Sequence, residues 1–330
     1  MKRNYYIFSN AELKRKQNTL YVYTNGNSKP IPIEGIDSLY CFGETTWNSK
    51  LINFLSKNEV VLHFFNYYDY YTGSFYPREH LNSGALLVEQ AKHYFHGKKR
   101  VLLARAFVSA SLQNISKTLM YYNNRGRDLQ ETIDQISSLL TGIPDTSDVP
   151  TLMSIEGRSR DAYYQTWNDI ITADGFFFEK RVRRPPDNKI NTMISFCNSL
   201  VYTTVLSQIY QTQLNPTISY LHEPGERRFS LSLDLSEIFK PLLADRMIFK
   251  LINNGEIQEK HFDKDTNQCL LNESGRKIVL REYDQRLQTT IKHRGLGRNV
   301  SYQRLIKLEC YKLIKHLLGD EKYAGFVIWW

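Results

Sequence analysis

The sequence is poor in cysteine, and its few cysteines are far apart. Cys41, Cys197, Cys269 and Cys310 are the complete set, and none belongs to a Cys-x-x-Cys pair. This spacing argues against zinc-ribbon and thioredoxin-type sites, which need closely spaced cysteines. Cys197 and Cys310 fall in helical patterns and are predicted to be buried thiols, which suits a reducing cytoplasm.

Long apolar runs and an apolar leader are also missing. No run approaches the roughly 18–20 apolar residues that a membrane-spanning helix needs, and the start, Met1–Tyr6, has no apolar signal core. The apolar end, Gly325–Trp330, has only six residues and predicts a docked tail or an interface rather than an anchor. We therefore expect a cytoplasmic protein that does not contact a membrane. The sequence contains no internal repeat and no low-complexity tract.

What the chain does have is an excess of positive charge. It contains 43 Lys and Arg against 34 Asp and Glu, which gives a formal charge of +9 and a pI near 9.2. Such an excess favours a polyanionic partner, nucleic acid before membrane. The 22 tyrosines could stack on bases, but they suit the edge of a core equally well.

The pattern of apolar residues changes near residue 80. Before it, short aromatic and β-branched runs alternate with turn residues, and Thr19–Tyr23 and Lys29–Ile33 flank Asn25-Gly26, a hairpin signal. After it, apolar residues recur at three- and four-residue spacing. The 330 residues exceed the roughly 100–200 of one domain. The sequence therefore predicts an α+β fold, with a small N-terminal β-rich domain (1–80) followed by a larger, mostly α-helical domain (81–330).

Two local predictions concern the N-terminal domain. His63 lies in the apolar run Val60–Phe65, which favours a satisfied core histidine over a ligand. The Tyr-rich stretch Asn66–Pro77 contains Thr72-Gly73, which predicts a turn between two strands.

A histidine and two acids lie close together in the sequence after residue 220. Asp234 and Glu237 are three positions apart, so they share one face of a predicted helix, and His222 precedes a loop that can fold back. One His with two carboxylates suits a divalent metal. The alternative is structural, because acids in the first turn of a helix complement its macrodipole. The pattern also leaves open whether Pro241 kinks this helix or begins a new one.

A third acid, Glu156, lies in a predicted helix that runs from Leu152 to Ile171. Arg160 follows four positions later, so a surface Glu–Arg pair worth a few tenths of a kcal/mol is the simplest explanation. Gly157 costs a helix about 1 kcal/mol relative to Ala. A helix accepts such a residue where something must approach closely.

Three basic segments are candidates for contacts with a phosphate backbone. They are Lys180–Arg184, which two prolines follow, Arg227-Arg228 and Lys292–Arg298. Cations beside aromatic residues are typical of loops that track phosphates. Solvated charged loops explain the composition equally well.

Taken together, the motifs of this chain resemble those of one family. They are Ile155-Glu156-Gly157-Arg158, Arg183-Arg184-Pro185-Pro186-Asp187 with Asn191, Leu221-His222, Asp234-Leu-Ser-Glu237-Ile-Phe-Lys240-Pro241 and Ala244-Asp245-Arg246. Their order and spacing, over essentially the whole chain, are similar to those of CRISPR-associated protein one, the integrase-nuclease of spacer acquisition. Each motif is weak alone, whereas the set is specific.

The resemblance implies a set of metal ligands. These are Glu156, His222 and Glu237, which are also the implied catalytic residues, with Mg²⁺ or Mn²⁺ as the cofactor. Asp234, one turn before Glu237, takes a supporting catalytic role. Lys240 stands where many relatives have Arg, which keeps the charge but not the bidentate fork.

The resemblance also implies an activity and partners. The activity is that of a metal-dependent DNA endonuclease and integrase: the 3′-OH of a short DNA fragment attacks a phosphodiester in the repeat of a CRISPR array, in antiviral defence. The implied partners are double-stranded DNA, a second copy in a homodimer, and CRISPR-associated protein two, with residues 1–80 serving dimerisation and partner contacts and 81–330 catalysis. Candidate DNA contacts are Arg158, Arg160, Tyr163, Lys180, Arg181, Arg183, Arg184, Arg227, Arg228, Lys240, Lys292, Arg294 and Arg298.

Two other functions stay open at the level of sequence. The first is a structural DNA-binding dimer without chemistry, in which the acids only begin helices. The second is a general metal-dependent repair nuclease that acts on branched DNA. A structural dimer would show no metal-dependent cleavage of DNA, whereas an integrase would. A repair nuclease would cleave DNA but would not insert fragments into a CRISPR array.

Overall fold

The computed structural model of the chain consists of two compact units. It describes residues 2–77, 81–182, 185–225, 229–265 and 268–330. The units are Met1–Asn82 and Ser83–Trp330. The first is rich in strands and the second is mostly helical, so the predicted fold class is confirmed.

The described part of the N-terminal unit forms two four-stranded sheets, one α-helix and a short 3₁₀ helix, Ile33–Gly35. Its elements are β1 (Arg3–Ile7), β2 (Ala11–Lys16), β3 (Thr19–Thr24), β4 (Asn27–Pro32), β5 (Ile36–Cys41), β6 (Thr45–Thr46), α1 (Ser49–Lys57), β7 (Val61–Phe65) and β8 (Tyr71–Phe75). One sheet has the order β1-β5-β7-β8 and is parallel except for β8. The other has the order β4-β3-β2-β6. Leu13, Leu39, Phe54 and Leu62 belong to the core of this unit.

Two local predictions for this unit are confirmed. Asn25 and Gly26 join β3 to β4 with φ angles of 48° and 80°, the left-handed pair that a two-residue hairpin turn requires. His63 is fully buried, and its Nδ1 lies 2.7 Å from Oγ of Ser74. Burial lowers the pKa of His63 to about 3, so this histidine is a neutral core residue.

One predicted turn is wrong. Thr72-Gly73 lies inside β8, where Gly73 pairs with Phe64 of the neighbouring strand. The turn comes earlier, because Oδ1 of Asn66 accepts the backbone N–H groups of Tyr68 and Tyr70. An Asn side chain that binds its own backbone in this way forms a turn without needing glycine.

The second unit is built from helices and two small hairpins. Its described elements are α2 (Gly84–Phe95), α3 (Gly97–Asn123), α4 (Gln130–Gly142), α5 (Val149–Gln165), α6 (Trp167–Ile170), α7 (Lys189–Tyr210), α8 (Ser230–Lys240), α9 (Arg246–Asn253), β9 (Phe262–Asp265), β10 (Gln268–Leu271), α10 (Glu273–Gln288), β11 (Thr290–Lys292), β12 (Asn299–Ser301) and α11 (Tyr302–Leu318). Within these described elements, every helix is too short or too polar to cross a membrane. Cys197 in α7 and Cys310 in α11 are fully buried, as predicted.

Helix α8 lies in the core and packs against α3 and α7. Leu231, Leu235 and Ile238 are completely buried. Pro241 follows the last residue of α8 and opens a five-residue π-helical segment, Pro241–Asp245, that leads into α9. Proline marks this change because it has no N–H for the α-helical hydrogen bond.

The apolar C-terminal end is a docked tail. Phe326 and Ile328 are 6% and 1% exposed. The Phe326 ring stacks on Phe239 of α8, with the ring centroids 5.3 Å apart. The end of the chain is therefore part of the core around α8.

Candidate active site

Asp234 and Glu237 lie within α8 rather than at its start. The helix begins at Ser230, and its first turn contains no acid. The macrodipole explanation for these two residues therefore does not apply, because that effect falls off within the first turn. Both carboxylates are buried, Asp234 completely and Glu237 to 7% exposure. Buried carboxylates need partners, and each has a distinct set.

Asp234 holds the chain segment that carries His222. Its Oδ2 accepts the backbone N–H groups of Tyr220 and Leu221 at 2.7 and 3.0 Å. Its Oδ1 accepts the backbone N–H of His222 at 2.9 Å and lies 2.8 Å from His222 Nδ1. A carboxylate can only accept, so Nδ1 carries a proton, and in the neutral imidazole the lone pair lies on Nε2. Burial lowers the pKa of His222, but the hydrogen bond to Asp234 and the charge of Asp234 outweigh burial and raise this pKa. This is the arrangement by which carboxylates orient metal-binding histidines.

Two cations hold Glu237. Its Oε2 accepts from Nη2 of Arg160 at 2.6 Å, and its Oε1 accepts from Nζ of Lys240 one turn later. Burial alone would raise the pKa of Glu237, but the charges of Lys240 and Arg160 outweigh it and hold this pKa at about 2. Glu237 is therefore ionised at neutral pH.

Arg160 lies among three carboxylates. Besides Glu237, its Nε is 3.5 Å from Oε1 of Glu156 and its Nη1 is 3.6 Å from Oδ2 of Asp245. Burial, then the charge of Glu237, raises the pKa of Glu156, and burial raises the pKa of Asp245 to about 6. The Glu–Arg pair expected at the surface is thus part of a network around the buried Arg160.

The donor chemistry of this cluster fits a divalent cation. The cluster offers two carboxylates, on Glu156 and Glu237, and the free Nε2 of His222, a mixture of oxygen and nitrogen donors that suits Mn²⁺ or Mg²⁺. When His222 is protonated, its charge opposes the rise in the pKa of Glu156 and adds to the fall in the pKa of Glu237, so the three side chains interact electrostatically. Among the described residues, no three His, Cys, Asp or Glu side chains are grouped closely enough to hold a metal ion. In this structure the two carboxylate oxygens of Glu237 instead pair with Arg160 and Lys240.

Comparison with known proteins identifies the family. The profile of the family described as CRISPR associated protein Cas1 matches residues 5–285. The chain belongs to the Cas1 family. It is 52% identical over 330 residues to CRISPR-associated endonuclease Cas1 2 of Thermodesulfovibrio yellowstonii, with 100% of each chain covered. The sequence-based assignment to CRISPR-associated protein one, a family of DNA endonucleases, is thereby confirmed.

Solved Cas1 structures share the fold. A CAS1 protein from Thermotoga maritima is 42% identical and superposes with a TM-score of 0.88 over 98% of this chain and 99% of that one. A casposase bound to an integration product has the same TM-score of 0.88 at 19% identity, over 98% and 93% of the two chains. The second likeness concerns the fold alone.

The predicted DNA contacts of this Cas1 chain differ in their exposure and in their partners. Arg160 and Tyr163 are 7% and 0% exposed, so burial removes both from the surface that DNA can reach. Arg181 donates to Oδ1 of Asn191 and to Oγ of Ser195, Lys240 pairs with Glu237, and Arg294 lies over the Trp329 ring. Side chains with exposed positions are those of Arg158, Lys180, Lys292, Arg294 and Arg298. Arg183, Arg184, Arg227 and Arg228 lie outside the described residues.

Sequence reasoning missed the contribution of α3 to this site. Arg100, which is not among the predicted site residues, lies in the first turn of α3. Its Nε donates to the carbonyl of Tyr220 at 3.0 Å and its Nη2 to Oε1 of Glu223 at 2.6 Å. It therefore binds the His222 segment on both sides of His222 in the sequence, at Tyr220 and at Glu223. A cation in the first turn of a helix interacts unfavourably with the helix macrodipole. This unfavourable position is the feature of the sequence that could have marked Arg100.

Proposed function

We propose that this Cas1-family protein inserts short DNA fragments into a CRISPR array. The 3′-OH of the fragment attacks a phosphodiester of the repeat, and the strand is transferred by transesterification. Family membership supports the assignment. The observation that supports the mechanism is that Arg160 pairs with both Glu156 and Glu237, while Asp234, one turn before Glu237, binds Nδ1 of His222.

Glu156, Glu237 and Nε2 of His222 would hold Mg²⁺ or Mn²⁺. When bound, such an ion would polarise the phosphoryl oxygen and lower the pKa of the attacking hydroxyl. The imidazole ligand favours Mn²⁺ over Mg²⁺ in vitro. Asp234 keeps the proton of His222 on Nδ1, and Arg160 keeps the two glutamates near each other while balancing their charge.

We also propose that double-stranded DNA binds through its backbone to the exposed cations. Arg158, Lys180, Lys292, Arg294 and Arg298 are the candidates with exposed side chains. Contacts of this kind give steep salt dependence and little sequence reading. A homodimer bound to CRISPR-associated protein two, in the cytoplasm, is the proposed working form, on the strength of the family resemblance.

The test uses the chain with that partner protein, a short duplex and a supercoiled plasmid that carries a CRISPR array. Glu156→Gln, His222→Ala and Glu237→Gln should each abolish strand transfer, because each removes a ligand. Circular dichroism and duplex binding should stay unchanged. Glu131→Gln, an exposed acid at the start of α4, is the matched control and should keep full activity. If two of the three ligand variants stay active, the ligand assignment is wrong.

The same assay separates the two other functions. A duplex with a 3′-deoxy end should not be inserted, since it lacks the nucleophile. A structural DNA-binding dimer would bind the duplex but neither cut nor insert it. A repair nuclease would cut branched DNA with Mn²⁺ and leave the array plasmid without an insert.

A further inference from the structure

The backbone at Glu237 is held from outside its own helix. Four residues after Glu237 comes Pro241, which has no N–H to donate to the Glu237 carbonyl in the α-helical register. That carbonyl accepts from Oγ of Ser111 on α3 at 3.1 Å and from Nη2 of Arg160 at 3.3 Å. Polar side chains of other helices thus replace the missing helical donor.

The next carbonyl along α8 is held by Asn114 of α3. Nδ2 of Asn114 donates to the carbonyl of Ile238 at 2.9 Å and to that of Phe326, in the C-terminal tail, at 3.0 Å. Oδ1 of the same side chain accepts the N–H of Ile328 at 2.8 Å. Asn114 is fully buried. One amide therefore joins α3, the residue after Glu237 and the tail.

The tail is fixed by further contacts. Glu309 of α11, which is 1% exposed, accepts the hydroxyl of Tyr323 at 2.5 Å and the N–H of Phe326 at 2.9 Å. At Gly325 the tail touches α3 so closely that a Cβ would lie 2.5 Å from Cβ of Ala110. The tail is therefore packed tightly against α3 at Gly325 and against α8 at Phe326.

We propose that Asn114 and the tail segment 323–328 are positioning elements for Glu237. They act through the α8 backbone and touch neither metal nor DNA. The inference rests on the proposed function, because it gives Glu237 the task of binding metal. If Asn114 and the tail only stabilised the fold, replacing Asn114 would affect metal binding no more than replacing another buried polar residue of α3. If they position Glu237, replacing Asn114 weakens metal binding specifically.

The test compares Asn114→Leu with Thr118→Val. Thr118 is also fully buried on α3, and its hydroxyl donates to the carbonyl of Asn114 at 3.1 Å within the same helix. Mn²⁺ affinity is measured by calorimetry on the full chain without DNA. Asn114→Leu should weaken it about 10- to 100-fold, as loss of a supporting contact does. Thr118→Val should leave it unchanged. Hydrogen exchange of the metal-free protein should be faster at residues 237–242 in Asn114→Leu only.

Two results would overturn the inference. One is a folded Asn114→Leu protein with wild-type Mn²⁺ affinity, and the other is an equal loss in Thr118→Val. If Asn114→Leu does not fold, Phe326→Leu, which removes the stack on Phe239 but keeps an apolar group, takes its place with the same expectation. Glu156→Gln tests the proposed ligand set independently of this inference. If this variant keeps wild-type Mn²⁺ affinity, the proposed ligand set is wrong, whatever the result for Asn114→Leu.

Discussion

Replacing Asp234 with asparagine tests the orientation of His222 most directly. The carboxylate of Asp234 has four N–H groups facing it, two at each oxygen. An amide has one oxygen and one NH₂ group, so in either orientation two of these N–H groups face another donor. The substitution keeps the shape of the side chain and changes only its hydrogen bonding.

The expected loss follows from those contacts. Hydrogen bonds to a charged group contribute about 1.5–3 kcal/mol each. If the NH₂ group takes the place of Oδ2, the two bonds to the N–H groups of Tyr220 and Leu221 are lost, which destabilises the His222 segment by roughly 3–6 kcal/mol. If the NH₂ group takes the place of Oδ1, it donates to Nδ1 of His222. The proton of the imidazole then moves to Nε2, which removes the lone pair needed for a metal.

The assay is a Mn²⁺ titration of strand transfer, together with calorimetry of Mn²⁺ binding. Asp234→Asn should weaken Mn²⁺ binding at least about tenfold and reduce strand transfer, with an unchanged helical circular dichroism spectrum. Asp134→Asn, an exposed acid on α4, is the control for the lost charge and should behave as wild type. Wild-type metal affinity and rate in folded Asp234→Asn protein would refute the reasoning.

Three other experiments test separate parts of the molecule. Burial holds the pKa of His63 at about 3 in the folded protein, against about 6.5 in the unfolded chain. Because the unfolded chain then binds more protons, the free energy of unfolding should fall by about 2 kcal/mol from pH 7.5 to pH 5. Urea unfolding of the wild type should show this loss, and an equal loss in His63→Gln would contradict it. Arg160→Met should destabilise the metal-free protein by about 3–5 kcal/mol, because buried carboxylates lose their partner; a change below 1 kcal/mol in urea would contradict the network. In thermal unfolding, Gly325→Ala should destabilise by about 1–3 kcal/mol through its clash with Ala110, while Gly157→Ala, with open space at its Cβ, should stabilise by about 0.5–1 kcal/mol; equal effects would contradict this difference in packing.

Local signals predicted local structure well. Asn25-Gly26 fixed a hairpin because its backbone preference and the flanking strands agree. Thr72-Gly73 failed because both residues are tolerated in a strand, and the Asn66 side chain formed the turn instead. Apart from its chain neighbours and its own helix backbone, no described atom lies within 4 Å of the Cβ position of Gly157. No part of this chain makes the predicted close approach, so an approach by another molecule stays a prediction.

The candidate site was only partly predictable. Motif order pointed to Glu156, His222 and Glu237, but no spacing rule reveals that Asp234 binds three successive backbone N–H groups twelve to fourteen positions earlier. Arg160 was read as a surface or DNA-binding cation because arginine is seldom buried. It is buried because carboxylates from α5, α8 and the π-helical segment meet there, and that meeting exists only in three dimensions.

The departures from local rules in this chain cluster around one helix. Pro241 interrupts the helical register one turn after Glu237, and the buried Arg160 replaces part of the lost hydrogen bonding. Gly157 follows Glu156 on α5. Each of these choices lowers stability by itself. Sequences that fold well keep such conflicts for places where function requires them. Their coincidence beside the proposed ligands is therefore an independent argument, drawn from energetics rather than from motifs, that the chemistry lies at α8.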